Sequence, residues 1–221
     1  MMNVLSLDTA TETCGIGLLL DGGRWFEYAR VAGLKHAEFV SEGIHRLLGD
    51  ANISLSKLDL IVCSRGPGSF TGLRIGMATA KGLAAGAGLP LVSVPTLDAM
   101  AYGFEWAPMT IVPVIDAKKK RVYAAAYRNG QRIRGPVDLE LSRIGQFLET
   151  MGDVLLTGPN AGIAAAECPK PQKISVNKTA FNFNRAYVEL GIARFEQSGA
   201  DEPVTGPEYL RKSDAELMID M

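Results

Sequence analysis

Histidine, cysteine and long apolar runs are all scarce in this sequence. Its 221 residues include two histidines, His36 and His45, and three cysteines, Cys14, Cys63 and Cys168. The cysteines are widely spaced and form no Cys-x-x-Cys pair, so neither a disulfide framework nor a zinc knuckle is predicted, and reduced thiols in a cytoplasm fit best. No apolar run approaches the ~20 residues that a membrane-spanning helix needs, so no membrane association is expected.

An excess of charge of either sign is also missing. The 23 basic and 24 acidic residues give a formal net charge of −1, whereas a protein that holds nucleic acid by itself usually carries a positive excess. The N-terminal stretch has no basic region and places Asp8 among apolar residues, which argues against a signal peptide. We therefore expect a cytoplasmic globular protein of one domain or two small ones.

The sequence does contain two successive series of alternating strands and helices. An Asp-Gly turn at 21–23 joins two apolar runs, as in a β-hairpin, and apolar residues recur at helical spacing between 36 and 49. The first series comprises three strands within 4–31, a helix at 36–49, a strand at 58–64, a helix at 69–87, a strand at 89–94 and a short helix from Thr96 to about 104. The second comprises a strand at 111–117, a hairpin at 121–133 with Asn129-Gly130 at its tip, a helix at 142–151, a strand at 154–160, a loop at 168–173 and a helix at 180–197.

The two series echo each other. Asp8 precedes the turn at Asp21-Gly22 by 13 residues, and Asp116 precedes the turn at Asn129-Gly130 by 13 residues. Either two hairpins agree by chance, or a βββαβα unit has been duplicated. Duplication predicts α/β lobes with mixed sheets flanked by helices, over residues 1–105 and 106–221, with the last helix and tail packing back on the first lobe.

Common catalytic templates fail on this chain. His36 and His45 are nine residues apart, which puts them on opposite faces of one helix and prevents them from sharing a metal ion. The segment GPGSFTGLRIG has Thr71 where a dinucleotide-binding loop needs glycine, and it lacks the Gly-Lys-Ser/Thr of a P-loop. Ser69 has no evident histidine partner for a hydrolase, so Ser69 or Thr71 is interpreted as the helix N-cap.

The helix at 69–87 is rich in glycine, which must serve a purpose. Gly72, Gly76, Gly82 and Gly86 each cost about 0.8–1 kcal/mol relative to alanine. A small face formed by Gly72, Gly76, Thr79 and Ala80 would let another backbone approach closely. That backbone belongs either to the same fold or to a helix of another chain, and the pattern alone does not choose between them.

Two acidic turns could flank a nucleotide cleft. Asp8-Thr9-Ala10-Thr11 follows one strand and Asp116 follows its counterpart, so the two carboxylates could hold Mg²⁺ with a nucleotide. The first turn has Ala10 where a phosphate-binding turn would carry glycine, and the second continues into the basic run 118–121. We interpret the cleft as vestigial and the basic run as either a solvated hairpin or a local anion or RNA contact.

Several segments together resemble the TsaB (YeaZ) family over nearly the whole chain. They are LDTATETC, SRGPGSFTGLRIGMATAKGLA, PLVSVPTLDAMA, VIDAKKKRVYAAAY and PEYLRK, of which GPGSFTGLRIG is the most specific. The resemblance implies a duplicated actin-like (ASKHA, ribonuclease H-like) fold. It also implies a non-catalytic dimerisation subunit in the formation of N6-threonylcarbamoyladenosine at position 37 of tRNAs that read ANN codons.

The same resemblance implies partners and a binding surface. The partners are a TsaD-type catalytic subunit and a TsaE-type ATPase, with tRNA met indirectly, ATP and Mg²⁺ used only by the complex, and a homodimer when the chain is alone. No catalytic or metal-ligating residue is expected here, and Gly76→Leu is expected to weaken pairing while leaving the fold intact. The expected interface residues are His36, Val40, Ile44, Phe70, Gly72, Leu73, Arg74, Gly76, Met77 and Ala80.

Two alternatives remain at this point. One is a small ATP-dependent phosphotransferase of the same superfold, which would bind Mg-ATP around Asp8 and Asp116. The other is a peptidase, although the sequence offers neither the pair of metal ligands nor the catalytic triad that a peptidase needs.

Overall fold

Two compact units make up the chain, and each is built from two separate segments. The computed structural model describes residues 2–31, 36–168, 173–177 and 183–211. The first unit combines Met1–Ala99 with Asn182–Glu208, and the second combines Met100–Phe181 with Tyr209–Met221. The division therefore falls six residues before the predicted boundary at 105, and the last helix belongs to the first unit.

The first unit is a five-stranded mixed sheet with helices on both faces. Its strands are ordered β3-β2-β1-β4-β5, with β1 antiparallel to β2 and parallel to β4. The elements are β1 (Val4–Asp8), β2 (Thr13–Leu20), β3 (Arg24–Val31), α1 (His36–Asp50), β4 (Leu60–Gly66), α2 (Phe70–Ala87), β5 (Leu91–Pro95) and α3 (Thr96–Ala101). A last helix, α6 (Asn184–Ser198), joins this unit from much later in the sequence.

The second unit repeats this arrangement strand for strand. Its sheet has the order β8-β7-β6-β9-β10, and β6 is again antiparallel to the strand that follows it and parallel to β9. This topology confirms the predicted duplicated actin-like α/β fold. The elements are β6 (Thr110–Asp116), β7 (Arg121–Arg128), β8 (Gln131–Glu140), α4 (Ile144–Leu148), β9 (Val154–Thr157), α5 (Ala161–Ala166) and β10 (Ile174–Val176).

Each face of the first sheet has its own apolar layer. Leu5, Leu7 and Ile16 point towards α1 and α2 and form one core with them. Val4 and Val62 point to the opposite face, where they meet Tyr187 of α6 and its neighbours. A methyl group added at Gly191 of α6 would lie 2.5 Å from Cγ2 of Val62, so glycine at this position lets the helix sit directly on the sheet.

The elements that short-range patterns missed lie in the second unit. The helix expected at 142–151 is a single turn of 3₁₀ helix at Leu141–Arg143 followed by the five-residue α4. The short α5 and β10 were not predicted, because neither is long enough to show a periodicity. The expected loop at 168–173 and the first residues of the helix expected at 180–197 lie partly outside the described residues. Among the helices that the structure does describe, none has the length and apolar character to cross a bilayer.

Candidate functional site

Most of the expected interface residues face inwards. Val40 and Ile44 of α1 pack in the core of the first unit, as do Leu73, Met77 and Ala80 of α2. Leu73 and Ala80 have no exposed surface at all. A partner could reach only the other side of these helices, where Arg74 is exposed and Phe70 is half-buried.

Gly72 and Gly76 are packed against the turn that joins β1 to β2. A methyl group on Gly72 would lie 2.1 Å from the Thr9 carbonyl oxygen, and one on Gly76 would lie 2.1 Å from Thr9 Oγ1. Of the two uses that the sequence left open for this small face, close packing within the fold is the one observed. The expectation that Gly76→Leu leaves the fold intact is therefore wrong, because a leucine would displace the turn.

The start of α2 is hydrogen-bonded to the same turn between β1 and β2. The Ser69 backbone N–H donates to the Ala10 carbonyl at 2.7 Å, and Ser69 Oγ accepts a hydrogen bond from the Gly72 N–H at 3.2 Å. Ser69, one of the two expected candidates, is the N-cap, so its hydroxyl is engaged in structure.

His36 also contacts this turn. It is the first residue of α1 and is buried, with Nε2 2.9 Å from the Thr11 carbonyl oxygen. His45 is exposed on the opposite face of the same helix, as the nine-residue spacing predicted. Across the described ranges, no group of three or more histidine, cysteine, aspartate or glutamate side chains is placed to hold a metal ion.

A second stripe, made of small residues apart from Arg74 at its N-terminal end, lies on the exposed side of α2. Arg74, Ala78, Gly82 and Ala85 follow one another at intervals of three and four residues, and all four are exposed. A methyl group on Gly82 would meet nothing within 4 Å. Helical spacing could have predicted that Gly82 lies on a different side of α2 from Gly72, because ten residues at about 100° each place the two glycines about 80° apart around the helix. At the N-terminal end of the stripe, the Arg74 guanidinium carbon lies 3.8 Å from the centre of the Phe70 ring.

Asp8 ends β1 as a nearly buried carboxylate, with 4% of its surface exposed. Burial raises its pKa to about 6, although the Ala10 N–H and the nearby Ser64 and Tyr187 hydroxyls offset part of that rise. Asp8 Oδ1 accepts from the Ala10 N–H at 3.0 Å. The Tyr187 side chain beside it is completely buried, and burial together with the Asp8 charge raises the pKa of Tyr187 well above its usual value. This carboxyl group is covered by α6 and is poorly placed to coordinate Mg²⁺.

The other residues named for a nucleotide cleft are likewise engaged in structure. Thr9 is buried against Gly76, and the Thr11 hydroxyl donates to the Thr13 carbonyl at 3.3 Å. In the second unit, Asp116 Oδ1 accepts from the Lys118 N–H at 2.7 Å, and its Oδ2 lies 3.1 Å from Lys118 Nζ. Both acidic side chains thus serve to hold their own turns.

Comparison with known proteins gives consistent results over most of the chain. Residues 29–215 match the family model described as "TsaD: tRNA N6-adenosine threonylcarbamoyltransferase". The chain is also 30% identical to the Bacillus subtilis tRNA threonylcarbamoyladenosine biosynthesis protein TsaB, over 97% of this chain and 96% of that protein. The chain belongs to the TsaB (YeaZ) family.

Further TsaB relatives agree in sequence and in structure. The Escherichia coli TsaB is 37% identical over 59% of this chain, and the alignment spans only 57% of that relative. The solved structure of YeaZ from Pseudomonas aeruginosa superposes with a TM-score of 0.79 at 26% identity, covering 95% of this chain and all of that one. The TsaB resemblance drawn from the motifs is thereby confirmed.

Proposed function

We propose that this chain is a non-catalytic accessory subunit of the assembly that forms N6-threonylcarbamoyladenosine at position 37 of tRNAs that read ANN codons. Its TsaB relatives are named for this biosynthesis, and the family model that covers residues 29–215 describes the transferase itself. The structural observation that carries the proposal is the exposed stripe Arg74, Ala78, Gly82 and Ala85, which gives a second helix room to approach α2.

The chemistry is assigned to a TsaD-type partner, since the reactive groups of this chain support its own fold. Asp8 lies under α6, and His36 is bound at the Thr11 carbonyl. Ser69 caps α2. Cys63 is completely buried, and burial raises the pKa of its thiol to about 12, so it is not a thiolate at neutral pH.

The stripe favours pairing through helices. Glycine in an exposed helix interior costs about 1 kcal/mol, and at Gly82 no neighbour among the described residues fills the space that is gained. A partner helix that closes on Ala78, Gly82 and Ala85 would use it, while the Arg74–Phe70 pair at the end of the stripe supplies a charge and an aromatic surface. We assign the TsaD-type contact, and self-association of the chain alone, to this face.

Leucine at position 82 is expected to weaken pairing without harming the subunit. Gly82→Leu puts a side chain where a partner backbone would lie, so we expect at least a tenfold rise in the dissociation constant for the cognate TsaD-type protein, measured by calorimetry. Gly162→Leu is the matched control, because Gly162 is an exposed glycine of α5 with nothing within 4 Å of an added methyl group. Equal affinities for the two variants would exclude this face.

The function itself is tested by reconstitution. We expect a mixture of this chain, its TsaD-type subunit, a TsaE-type ATPase and threonylcarbamoyl-adenylate to modify tRNA, and the yield to fall sharply when this chain is omitted. Undiminished modification without it would refute the accessory role. Turnover by this chain alone would refute the assignment of the chemistry to the partner.

A further inference from the structure

The turn between β6 and β7 has an unusual backbone. Lys118, Lys119 and Lys120 have φ values of 60°, 55° and 57°, which place three consecutive residues in the left-handed region. That region is costly for side chains with a Cβ and is normally occupied by glycine or asparagine, one residue at a time. Here three lysines occupy it together, so the turn retains a strained shape that glycine would adopt at lower cost.

The surrounding structure holds this shape firmly. The Ala117 N–H donates to the Arg121 carbonyl at 2.9 Å, and the Arg121 N–H donates to the Lys118 carbonyl at 3.0 Å. The Leu141 N–H donates to the Lys120 carbonyl at 2.8 Å, which ties the turn to the end of β8. Backbone strain that the surrounding structure maintains tends to mark a functional position. In this turn, the strained backbone fixes the positions from which three basic side chains project.

The turn lies in the basic part of the chain. Residues 100–181 contain eleven basic and seven acidic residues, whereas the rest of the chain contains twelve basic and seventeen acidic ones. The near-zero net charge therefore hides an asymmetry along the sequence. Lys118, Lys119 and Lys120 are all exposed, and Lys118 keeps 68% of its side-chain surface accessible even while it pairs with Asp116.

We propose that this lysine turn (residues 118–120) binds the phosphate backbone of tRNA when the chain is part of its complex. The inference rests on the proposed function, which brings tRNA to the assembly. Three ammonium groups carried by one turn can neutralise nearby phosphates, and they carry no means of reading bases. They orient the RNA, and the affinity that they add falls with salt because bound counterions are released.

The test uses the complete complex with its TsaD-type subunit and an unmodified tRNA transcript. The variant carries Lys118→Gln, Lys119→Gln and Lys120→Gln together. We expect the dissociation constant for tRNA, measured by fluorescence anisotropy near 0.1 M salt, to rise about tenfold. The slope of log affinity against log salt should fall in magnitude by about 2 to 3, or about one for each lysine removed.

Two matched variants separate the local contact from other effects. Changing the same three lysines to arginine keeps the charges and should keep tRNA affinity within about twofold. Removing three charges elsewhere, with Arg24→Gln, Lys57→Gln and Lys173→Gln, gives the same net charge and should cost less than about threefold. Equal losses in the two glutamine triples would overturn the proposal, because they would reflect net charge alone.

Further outcomes keep this inference apart from the proposed function. Failure of the unsubstituted chains to form a complex would refute the proposed function. A complex that assembles and modifies tRNA, but whose lysine-to-glutamine triple keeps its tRNA affinity and salt slope, would refute the lysine turn alone. Weaker assembly with unchanged tRNA affinity would assign the turn to a protein contact, and weaker binding of Mg-ATP alone would assign it to a nucleotide. Both of these results would also overturn the proposal.

Discussion

Gly72→Ala is expected to lower the free energy of unfolding by about 3 kcal/mol or more, whereas Gly82→Ala, ten residues along the same helix, should raise it by about 1 kcal/mol. A methyl group on Gly72 would lie 2.1 Å from the Thr9 carbonyl oxygen, which is backbone and can yield only if the β1–β2 turn moves. A methyl group on Gly82 meets nothing within 4 Å, so that substitution changes little except helix propensity.

Urea denaturation of the two variants measures both effects in one experiment. The pair is well matched, because the same atom is added to the same helix and only its surroundings differ. If Gly72→Ala were neutral, or if both variants shifted stability in the same direction, the close approach of α2 to Thr9 would be excluded. Calorimetric transitions that remain two-state would also show that the measured shift is a change in the free energy of cooperative unfolding.

Asp8→Asn is expected to raise the free energy of unfolding by about 2 to 3 kcal/mol at pH 8 and to leave it nearly unchanged at pH 4. The folded-state pKa of Asp8 is raised from 3.8 to about 6 by burial, so folding favours the protonated form. The stabilising contribution is therefore complete below about pH 4 and is lost as the pH rises through about 6. A shift of about two units corresponds to about 3 kcal/mol.

Asparagine resembles the protonated carboxyl group in shape and is uncharged, and it can keep the hydrogen bond from the Ala10 N–H. Its amide oxygen can still accept from the Ala10 N–H, and its N–H groups can donate to the Ser64 or Tyr187 hydroxyls nearby. Asp153→Asn is the control: that aspartate is exposed and pairs with an exposed lysine, so it should change stability by less than about 0.5 kcal/mol at either pH. A gain from Asp8→Asn that does not depend on pH would contradict a titrating buried carboxylate.

The sequence was sufficient for the fold and insufficient for the direction of its side chains. Strand and helix periodicity, two Gly-containing turns and the repeated 13-residue spacing lead to the duplicated topology, because these signals are local. Burial is decided by long-range packing. The side chains of Val40 and Leu73 have the apolar character of both a core and an interface, and only the packing of α1 and α2 on the sheet shows that they belong to the core.

The glycines of α2 also show that the sequence alone does not determine which residues pack within the fold. Surplus glycine in α2 indicated a close approach, and the structure divides it into two pairs. Gly72 and Gly76 pack against Thr9, whereas a methyl group on Gly82 or Gly86 would meet no described atom within 4 Å. Helical geometry separates Gly82 from Gly72 by about 80° but Gly86 by only about 40°, so it could not have divided the glycines into these two pairs or said which of them faces the fold. The left-handed lysine turn gave no sequence signal at all, since lysine has no preference for that conformation.

The position of α6 has a consequence for biosynthesis. The strands of the first sheet are complete once Pro95 has been made, but the helix that covers one of their faces spans Asn184–Ser198. During translation, about ninety further residues must be synthesised before α6 can cover Val62 and its neighbours, which takes several seconds at about 5–20 residues per second. The second unit, whose described elements end at Val176, can fold while the first still exposes an uncovered sheet. A nascent chain stalled between residues 105 and 184 should therefore be a preferred client of hydrophobic-surface chaperones, and release should coincide with the emergence of α6 from the ribosome.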